Sequence, residues 1–389
     1  MHQPKFPASD LQTAMRDTCS YFEDQSISHD SLDDIIRYQL CSEGIKRVES
    51  FLFEYFLRRR LEEKNREQGL HFTFGWCIGF NSEHLPAYWF RYQENEDDWN
   101  KADDRLVQTI TEANSEESPT QPVVLRISLS KGENAFYAQE YDSKAWGKDM
   151  LLSTALSNLP LKKRCRPVRD TGAMHFDDHR YEIAIKWMRR NSFNNTITSL
   201  SSQRRLINCI LAPALGGQVV DLDAVILTPD NSIRIIEFKR KYPARGMRAF
   251  GLDLHPHISL LRYLSTYSIA IKHIVLVPPV WDKYESPLEL LERDELKKDW
   301  CWLVADLDDL AIGVIKVSTK GQDSGQSGEE RTQHNLQWNA IHMLHEGLRL
   351  SNEAYSNLFE FLAFDRPLKL PKATYEQLVQ RTAVICCSK

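Results

Sequence analysis

Residues 218–241 read QVVDLDAVILTPDNSIRIIEFKRK, and this stretch decides the fold expected for the chain. Two runs that are apolar on both faces, residues 219–227 and 233–238, flank a Pro-Asp-Asn turn. Such runs are typical of central, buried strands, so the stretch predicts a β-hairpin. The charged residues of this stretch include Asp221, Asp223, Glu237 and Lys239. Desolvating a charge costs several kcal/mol unless it is paired or bound to a metal, so these residues need partners.

The spacing of the four residues sharpens this expectation. Side chains two residues apart on a strand share a face, which groups Asp221 with Asp223 and Glu237 with Lys239. Pairing of the two strands is expected to bring Asp223 and Asp221 near Glu237 and Lys239. Two carboxylates suit a hard cation such as Mg²⁺, and a lysine beside them can orient or deprotonate water or neutralise a phosphate. A buried ion pair or an exposed hairpin end in an unrelated α/β domain fits the same pattern.

The arrangement resembles the core of the PD-(D/E)XK nuclease superfamily. In that family an Asp on one strand and a Glu-X-Lys on the next hold a divalent metal and position the attacking water. The resemblance assigns Asp223 and Glu237 as metal ligands and catalytic acids, Lys239 as the catalytic lysine, and Asp221 as an extra acid. It covers about residues 177–279 and implies Mg²⁺ or Mn²⁺ as cofactor.

The residues that follow the hairpin match the order of elements in this fold. Residues 251–267 are expected to form a helix, and residues 273–278 form another apolar run typical of a strand. His255 and His257 lie near the start of the expected helix. Two histidines without further close ligands make a poor zinc site, so they are expected as polar residues of the helix N-terminus, with phosphate contact or catalysis as the alternative.

The third acidic ligand is the element of the family that the sequence matches least. Members usually carry a Glu on the helix before the first strand, but the helix expected over residues 197–211 has no acid. Gln203 lies on its apolar face and is one candidate. Glu182, on a helix expected over residues 179–190, is the other. Either residue also fits an ordinary polar position on a helix surface.

Charge is distributed unevenly along the chain. The net charge is −5, yet residues 158–262 hold 18 Lys and Arg against nine Asp and Glu, a local balance of +9. A basic patch around an acidic cluster is typical of a partner with a phosphate backbone and disfavours a carbohydrate or small-molecule hydrolase. Solvated helix faces are the alternative explanation. The expected nucleic-acid contacts are Arg240, Lys241, Arg245, Arg248, Arg204 and Arg205.

Composition sets the wider limits. A chain of 389 residues favours two domains, and it contains no apolar run long enough to span a bilayer and no signal-peptide pattern at its start. The eight cysteines form no Cys-X-X-Cys pair, which argues against a zinc site or a disulfide framework. We therefore expect a cytoplasmic protein with no membrane partner.

The domain organisation follows from these patterns. Residues 1–149 are expected to form an α+β domain for target recognition or partner binding, and residues 150–317 a restriction-endonuclease-like α/β core with a mixed sheet flanked by helices. Residues 318–332, rich in Gly, Ser and Gln, are expected to be a flexible linker. Residues 333–389 are expected to form a helical extension, with helices over residues 336–350, 352–364 and 374–383.

The resemblance implies a metal-dependent endonuclease that acts on DNA, in a setting such as bacterial restriction or antiphage defence, either as a homodimer or with a partner subunit. The competing hypothesis is a catalytically incomplete nuclease fold that serves as a DNA- or protein-binding scaffold in a larger complex. The missing upstream Glu favours this alternative.

Overall fold

The computed structural model describes residues 45–65, 69–81, 85–112, 122–130, 135–142, 144–159, 178–191, 195–215, 219–282, 285–320 and 330–387. The backbone divides into two compact units. The first unit comprises residues 1–55, 75–99 and 116–221, and the second comprises residues 56–74, 100–115 and 222–389. The expected domain boundary between residues 149 and 150 falls inside the last segment of the first unit.

The first unit is built on a six-stranded sheet in the order β6-β5-β4-β3-β2-β7. Its strands are β2 (Trp76–Phe80), β3 (Pro86–Gln93), β4 (Val123–Ser130), β5 (Ala135–Glu140), β6 (Met150–Leu151) and β7 (Val219–Asp221). Strands β3 and β4 are parallel, and the other neighbours are antiparallel. One face packs against helical residues such as Leu206 and Leu211, which are buried together with Phe90 and Ile127.

The second unit contains another six-stranded mixed sheet, in the order β1-β8-β9-β11-β12-β15. Its strands are β1 (His71–Thr73), β8 (Ala224–Leu227), β9 (Ile233–Arg240), β11 (Ala270–Val277), β12 (Cys301–Leu307) and β15 (His342–Glu346). Strands β9 and β11 are parallel, and the other pairs are antiparallel. A smaller sheet has the order β10-β14-β13. Its strands are β10 (Phe250–Asp253), β13 (Ile312–Lys320) and β14 (Glu330–Leu336).

Both units also contain helices. They are α1 (Ile45–Asn65), α2 (Lys101–Glu112), α3 (Leu152–Asn158), α4 (Asp178–Asn191), α5 (Asn195–Arg205), α6 (Ser259–Ser265), α7 (Pro287–Glu292), α8 (Asn352–Ala363) and α9 (Tyr375–Cys387). A π-helical turn, Leu206–Leu211, continues α5, and a second, Leu254–Ile258, precedes α6. Short 3₁₀ turns occur at Glu96–Asp98, Asp294–Asp299 and Trp338–Ala340. The chain is therefore a mixed α/β protein with mixed sheets flanked by helices.

The expected hairpin is confirmed in the pairing of β8 with β9. Ala224 lies opposite Ile236 and Leu227 opposite Ile233 in an antiparallel ladder. In the turn between them, Asn231 adopts a φ of 65° and its N–H donates to the carbonyl oxygen of Thr228. Asparagine tolerates this left-handed conformation better than most residues, which explains why the chain reverses here.

The first strand of the hairpin, however, was expected to be continuous, and this is wrong. The chain leaves the strand conformation at Leu222 and Asp223, so β7 belongs to the sheet of the first unit and β8 to that of the second. Asp221 lies opposite Cys77 of β2. An apolar run indicates an extended backbone but does not determine its hydrogen-bonding partner, and here the partner changes within one run.

Two expectations for the downstream elements also need correction. The helix expected over residues 251–267 begins only after β10, which pairs Asp253 with Gln333 of β14. The helix expected over residues 336–350 is wrong, because this segment contains the end of β14, a 3₁₀ turn and β15. Gly347 has a φ of 111°, which an α-helix does not accommodate. The helices expected over residues 352–364 and 374–383 are confirmed as α8 and α9.

The expected linker is also shorter than predicted. Strand β13 extends to Lys320 and β14 begins at Glu330, so both ends of residues 318–332 lie in paired strands. The remaining residues, 321–329, lie outside the described residues. In the part of the chain that the structure describes, no helix is both long and apolar enough to cross a membrane.

Candidate functional site

The predicted catalytic residues lie at one end of the β8–β9 ladder in the second unit. The last paired positions are Ala224 and Ile236, and Asp223 and Glu237 are the next residues beyond this pair. The two acids therefore lie at the same end of the hairpin.

Asp223 is held in place by the neighbouring strand. It is 8% exposed, and its Oδ2 accepts a hydrogen bond of 2.6 Å from the backbone N–H of Phe238. A hydrogen bond between a carboxylate and a backbone N–H is among the stronger ones in proteins. This contact fixes the carboxylate beside β9 at the point where the backbone ladder ends.

Glu237 contacts two side chains, those of Lys239 and His257. Its Oε1 forms an ion pair with Lys239 Nζ and lies 3.4 Å from His257 Nε2. Burial alone would raise the pKa of Glu237, but the charge of Lys239 and the hydrogen bond from His257 outweigh burial and hold the pKa well below its usual range. The side chain of Glu237 is therefore an ionised carboxylate that is only 14% exposed.

Lys241 adds a second ammonium group to this region. Its Nζ donates to the carbonyl oxygen of Gly251 at 2.9 Å. Burial and the nearby charge of Lys239 lower the pKa of Lys241 to about 8, although Asp253 and Glu237 oppose the shift. Lys241 is therefore tied to the backbone of β10 at the end of β9.

His273 is the most unusual residue of the region. It lies opposite Glu237 in the parallel β9–β11 pair and is 0% exposed. Among the residues that the structure describes, neither of its ring nitrogens has a hydrogen-bond partner. Burial, with a smaller effect of Lys241, lowers the pKa of His273 to about 3, so the ring is neutral. Buried polar groups normally have partners, and an unpartnered ring on the face of Glu237 points to a ligand or water there.

The alternative metal ligands lie in the first unit. Glu182 is exposed on α4, and Gln203 is buried on α5. Asp221 lies 3.1 Å from Arg204, which also forms an ion pair of 2.6 Å with Glu54. Carboxylate oxygens of Glu54 and Asp221 lie within 4.8 Å of each other. Arg204 therefore balances the charge of the acid that the resemblance assigned as an extra ligand.

The predicted nucleic-acid contacts differ in their exposure. Arg248 is 62% exposed and forms an ion pair with Glu376 while its guanidinium lies 4.9 Å from the centre of the Tyr375 ring. Arg245 is also exposed and donates to the carbonyl oxygen of Trp281. Arg240 is half-buried and Arg205 is 7% exposed. Arg245 and Arg248 are thus the predicted contacts most accessible to a phosphate backbone.

Sequence reasoning did not place Asp253 or His273 at the site, and it gave His257 a catalytic or phosphate-contact role only as the alternative. The side chain of His255 lies outside the described residues. His257 belongs to the π-helical turn before α6, and such turns occur frequently at functional sites, but their position is not readable from the sequence. His273 stands in an apolar run where a buried polar ring was a visible signal.

Comparison of the chain with protein-family models, curated proteins and solved structures found no match.

Proposed function

We propose that the chain is a metal-dependent endonuclease with a restriction-endonuclease-like core that hydrolyses phosphodiester bonds in DNA. The observations that support the proposal are the hydrogen bond from the Phe238 N–H to Asp223, which holds this acid beside the residue that follows Glu237, and the ion pair of Glu237 with Lys239. A role in restriction or antiphage defence belongs to the same proposal and rests on the resemblance. Cytoplasmic location rests on the cysteine pattern, and action as a homodimer or with a partner subunit would allow both strands of a duplex to be cut.

The donor set suits a hard divalent cation. Asp223 and Glu237 offer carboxylate oxygens, which Mg²⁺ and Mn²⁺ prefer, and Glu237 is held in its ionised form. The unpartnered ring of His273 on the same face supports the presence of a ligand or its water. Asp223 and Glu237 would therefore hold Mg²⁺ or Mn²⁺.

The protein groups then have distinct roles in hydrolysis. When bound, the cation supplies positive charge at the phosphate oxygens and lowers the pKa of coordinated water. Lys239, through Nζ, donates a hydrogen bond to the attacking water and aligns it with the phosphorus atom. Arg245 and Arg248 bind flanking phosphates without reading the base sequence. These contacts position the strand and neutralise its charge.

Cleavage of supercoiled plasmid with MgCl₂ or MnCl₂ tests this proposal. We expect nicking that EDTA abolishes and that falls at least about 100-fold in Lys239→Met and in Glu237→Gln, because each change removes one of the groups that stabilise the transition state. Lys298→Met, which removes an exposed lysine, is the matched control and should cleave like the wild type.

The scaffold hypothesis is the second candidate, and one observation favours it. Glu237 is already paired with Lys239 and His257, so its charge is balanced without a cation. A wild type that fails to cleave with either metal but binds DNA in a salt-dependent manner would overturn the endonuclease that acts alone and favour the scaffold or an endonuclease that needs its partner subunit.

A further inference from the structure

His257 connects the π-helical turn to the proposed catalytic strand. Its Nε2 lies 3.4 Å from Glu237 Oε1, and its side chain is 26% exposed. Lys239 contacts the same oxygen from within β9. Glu237 therefore contacts donors from two different elements, one on its own strand and one on the turn before α6. A carboxylate held by two donors has less rotational freedom than one held by a single flexible lysine.

A second carboxylate lies near the other ring nitrogen, Nδ1, which has no hydrogen-bond partner among the described residues. His257 Nδ1 lies 3.9 Å from Asp253 Oδ2, and Asp253 Oδ1 accepts a hydrogen bond of 2.7 Å from Gln333 Nε2. Asp253 and Gln333 lie opposite each other in the β10–β14 pair. The order of contacts is thus Gln333, Asp253, His257 and Glu237. The acid nearest to Nδ1 of His257 is therefore held by the small sheet of the second unit.

We propose that His257 is a positioning residue that fixes the Glu237 carboxylate for cation binding. This inference rests on the proposed function, because it assumes that Glu237 is a metal ligand. Groups that hydrogen-bond a metal-binding side chain orient it, and their removal typically weakens metal binding about 10- to 100-fold. His257 itself needs no contact with the cation.

Direct titration of the full-length protein with MnCl₂ by calorimetry tests the proposal. We expect His257→Leu to weaken Mn²⁺ binding about 10- to 100-fold, because the Nε2–H donor is lost. His257→Gln keeps an N–H donor and should bind within about threefold of the wild type. This rescue separates a positioning role from a packing role. His345→Leu, which removes another half-buried histidine of the second unit, is the control and should not change binding.

The outcomes separate the inference from the proposed function. If Glu237→Gln abolishes binding while His257→Leu, folded by circular dichroism, binds as tightly as the wild type, the positioning role is wrong and the metal site stands. If the wild type binds no Mn²⁺, or Glu237→Gln binds as well as the wild type, both are overturned. If His257→Leu does not fold, His257→Phe, which keeps a ring but no N–H, replaces it: weaker Mn²⁺ binding supports the positioning role, and unchanged binding overturns it.

Discussion

At the scale of single residues, His273 is the feature that departs most from ordinary core packing. An imidazole without hydrogen-bond partners loses its hydration on folding and gains nothing in return. Val275, two positions along β11, is an apolar residue on the same face opposite Lys239. His273 therefore lowers the stability of the folded state, which is the pattern expected where function opposes stability.

We predict that His273→Leu raises the free energy of unfolding at pH 7 by about 1 kcal/mol, because it removes an unsatisfied polar group while keeping a side chain of similar size. Urea denaturation followed by circular dichroism measures the change, with EDTA present to exclude metal. A loss of stability in this variant would mean that His273 makes a favourable interaction, such as one with a buried water molecule.

The pH dependence of stability follows from the same residue. Its pKa of about 3 in the folded protein lies below the ordinary histidine value of about 6.5. Between these values the unfolded chain binds a proton that the folded protein excludes, so His273 destabilises the fold as the pH falls from about 6.5 towards 3. We expect unfolding measured across this range to show a shallower loss in His273→Leu than in the wild type; parallel curves would contradict the assignment.

The sequence identified three residues of the proposed site and missed the groups that surround them. Asp223, Glu237 and Lys239 could be identified from the sequence because strand periodicity places charges two residues apart on one face. The contact of His257 with Glu237 could not be predicted, because it depends on the docking of a π-helical turn against β9. The register of β9 against β11, which places His273 beside Glu237, likewise depends on long-range pairing that no local pattern determines.

At the scale of elements, α8 is joined to the main sheet of the second unit through Asp365. Its carboxylate lies 3.0 Å from both Arg234 NH2 and Lys272 Nζ, whose side chains are each 1% exposed. Arg234 also donates to the carbonyl oxygen of Leu362 at 2.6 Å, and Lys272 lies 2.6 Å from Asp306. Two buried cations on neighbouring strands thus share one acid that follows the helix.

We predict that Asp365→Asn lowers the free energy of unfolding by about 2 kcal/mol. Breaking a fully buried ion pair costs roughly 3–5 kcal/mol, but Asp365 is 65% exposed and solvent screens part of its charge. Asp309→Asn, at an exposed turn position, is the control and should change stability by less than about 0.5 kcal/mol. Equal stability of the two variants would show that Asp306 and Leu362 suffice for the buried cations.

Helices with a strong local pattern and the β8–β9 hairpin were predictable, whereas strands that pair with distant parts of the sequence were not. Helix α8 was expected over residues 352–364, and Ser351 caps its first turn by accepting from the N–H of Ala354. The segment of residues 336–350 has apolar residues at helical spacing, including Leu336, Leu344 and Leu348. It nevertheless forms β15 because β12 offers it an edge to pair with, and long-range pairing overrides local preference.

At the scale of the whole molecule, the two units are interleaved along the chain. Residues 56–74 and 100–115 belong to the second unit although residues on both sides of each belong to the first. These insertions supply β1, which pairs with β8, and α2, whose Asp103 accepts a hydrogen bond from Thr73 at 2.6 Å. The main sheet of the second unit is therefore incomplete without residues that lie far upstream.

We predict that a fragment of residues 222–389 shows no cooperative unfolding transition, because it exposes the edge of β8 and lacks the packing of α2. Urea denaturation of the fragment and of the full chain, followed by circular dichroism, measures this. A sharp transition in the fragment would show that the five remaining strands of the main sheet form a sufficient core without β1 and α2.

The pairing of β1 with β8 also has a consequence for synthesis on the ribosome. Thr73 and Val225 are partners, so β1 emerges from the ribosome about 150 residues before the strand it pairs with. At roughly 5–20 residues per second, this delay is about 8–30 s. During that interval Phe72, which becomes buried, has no sheet to join. Chaperones that bind nascent chains are therefore expected to act on this protein before residue 227 has been translated.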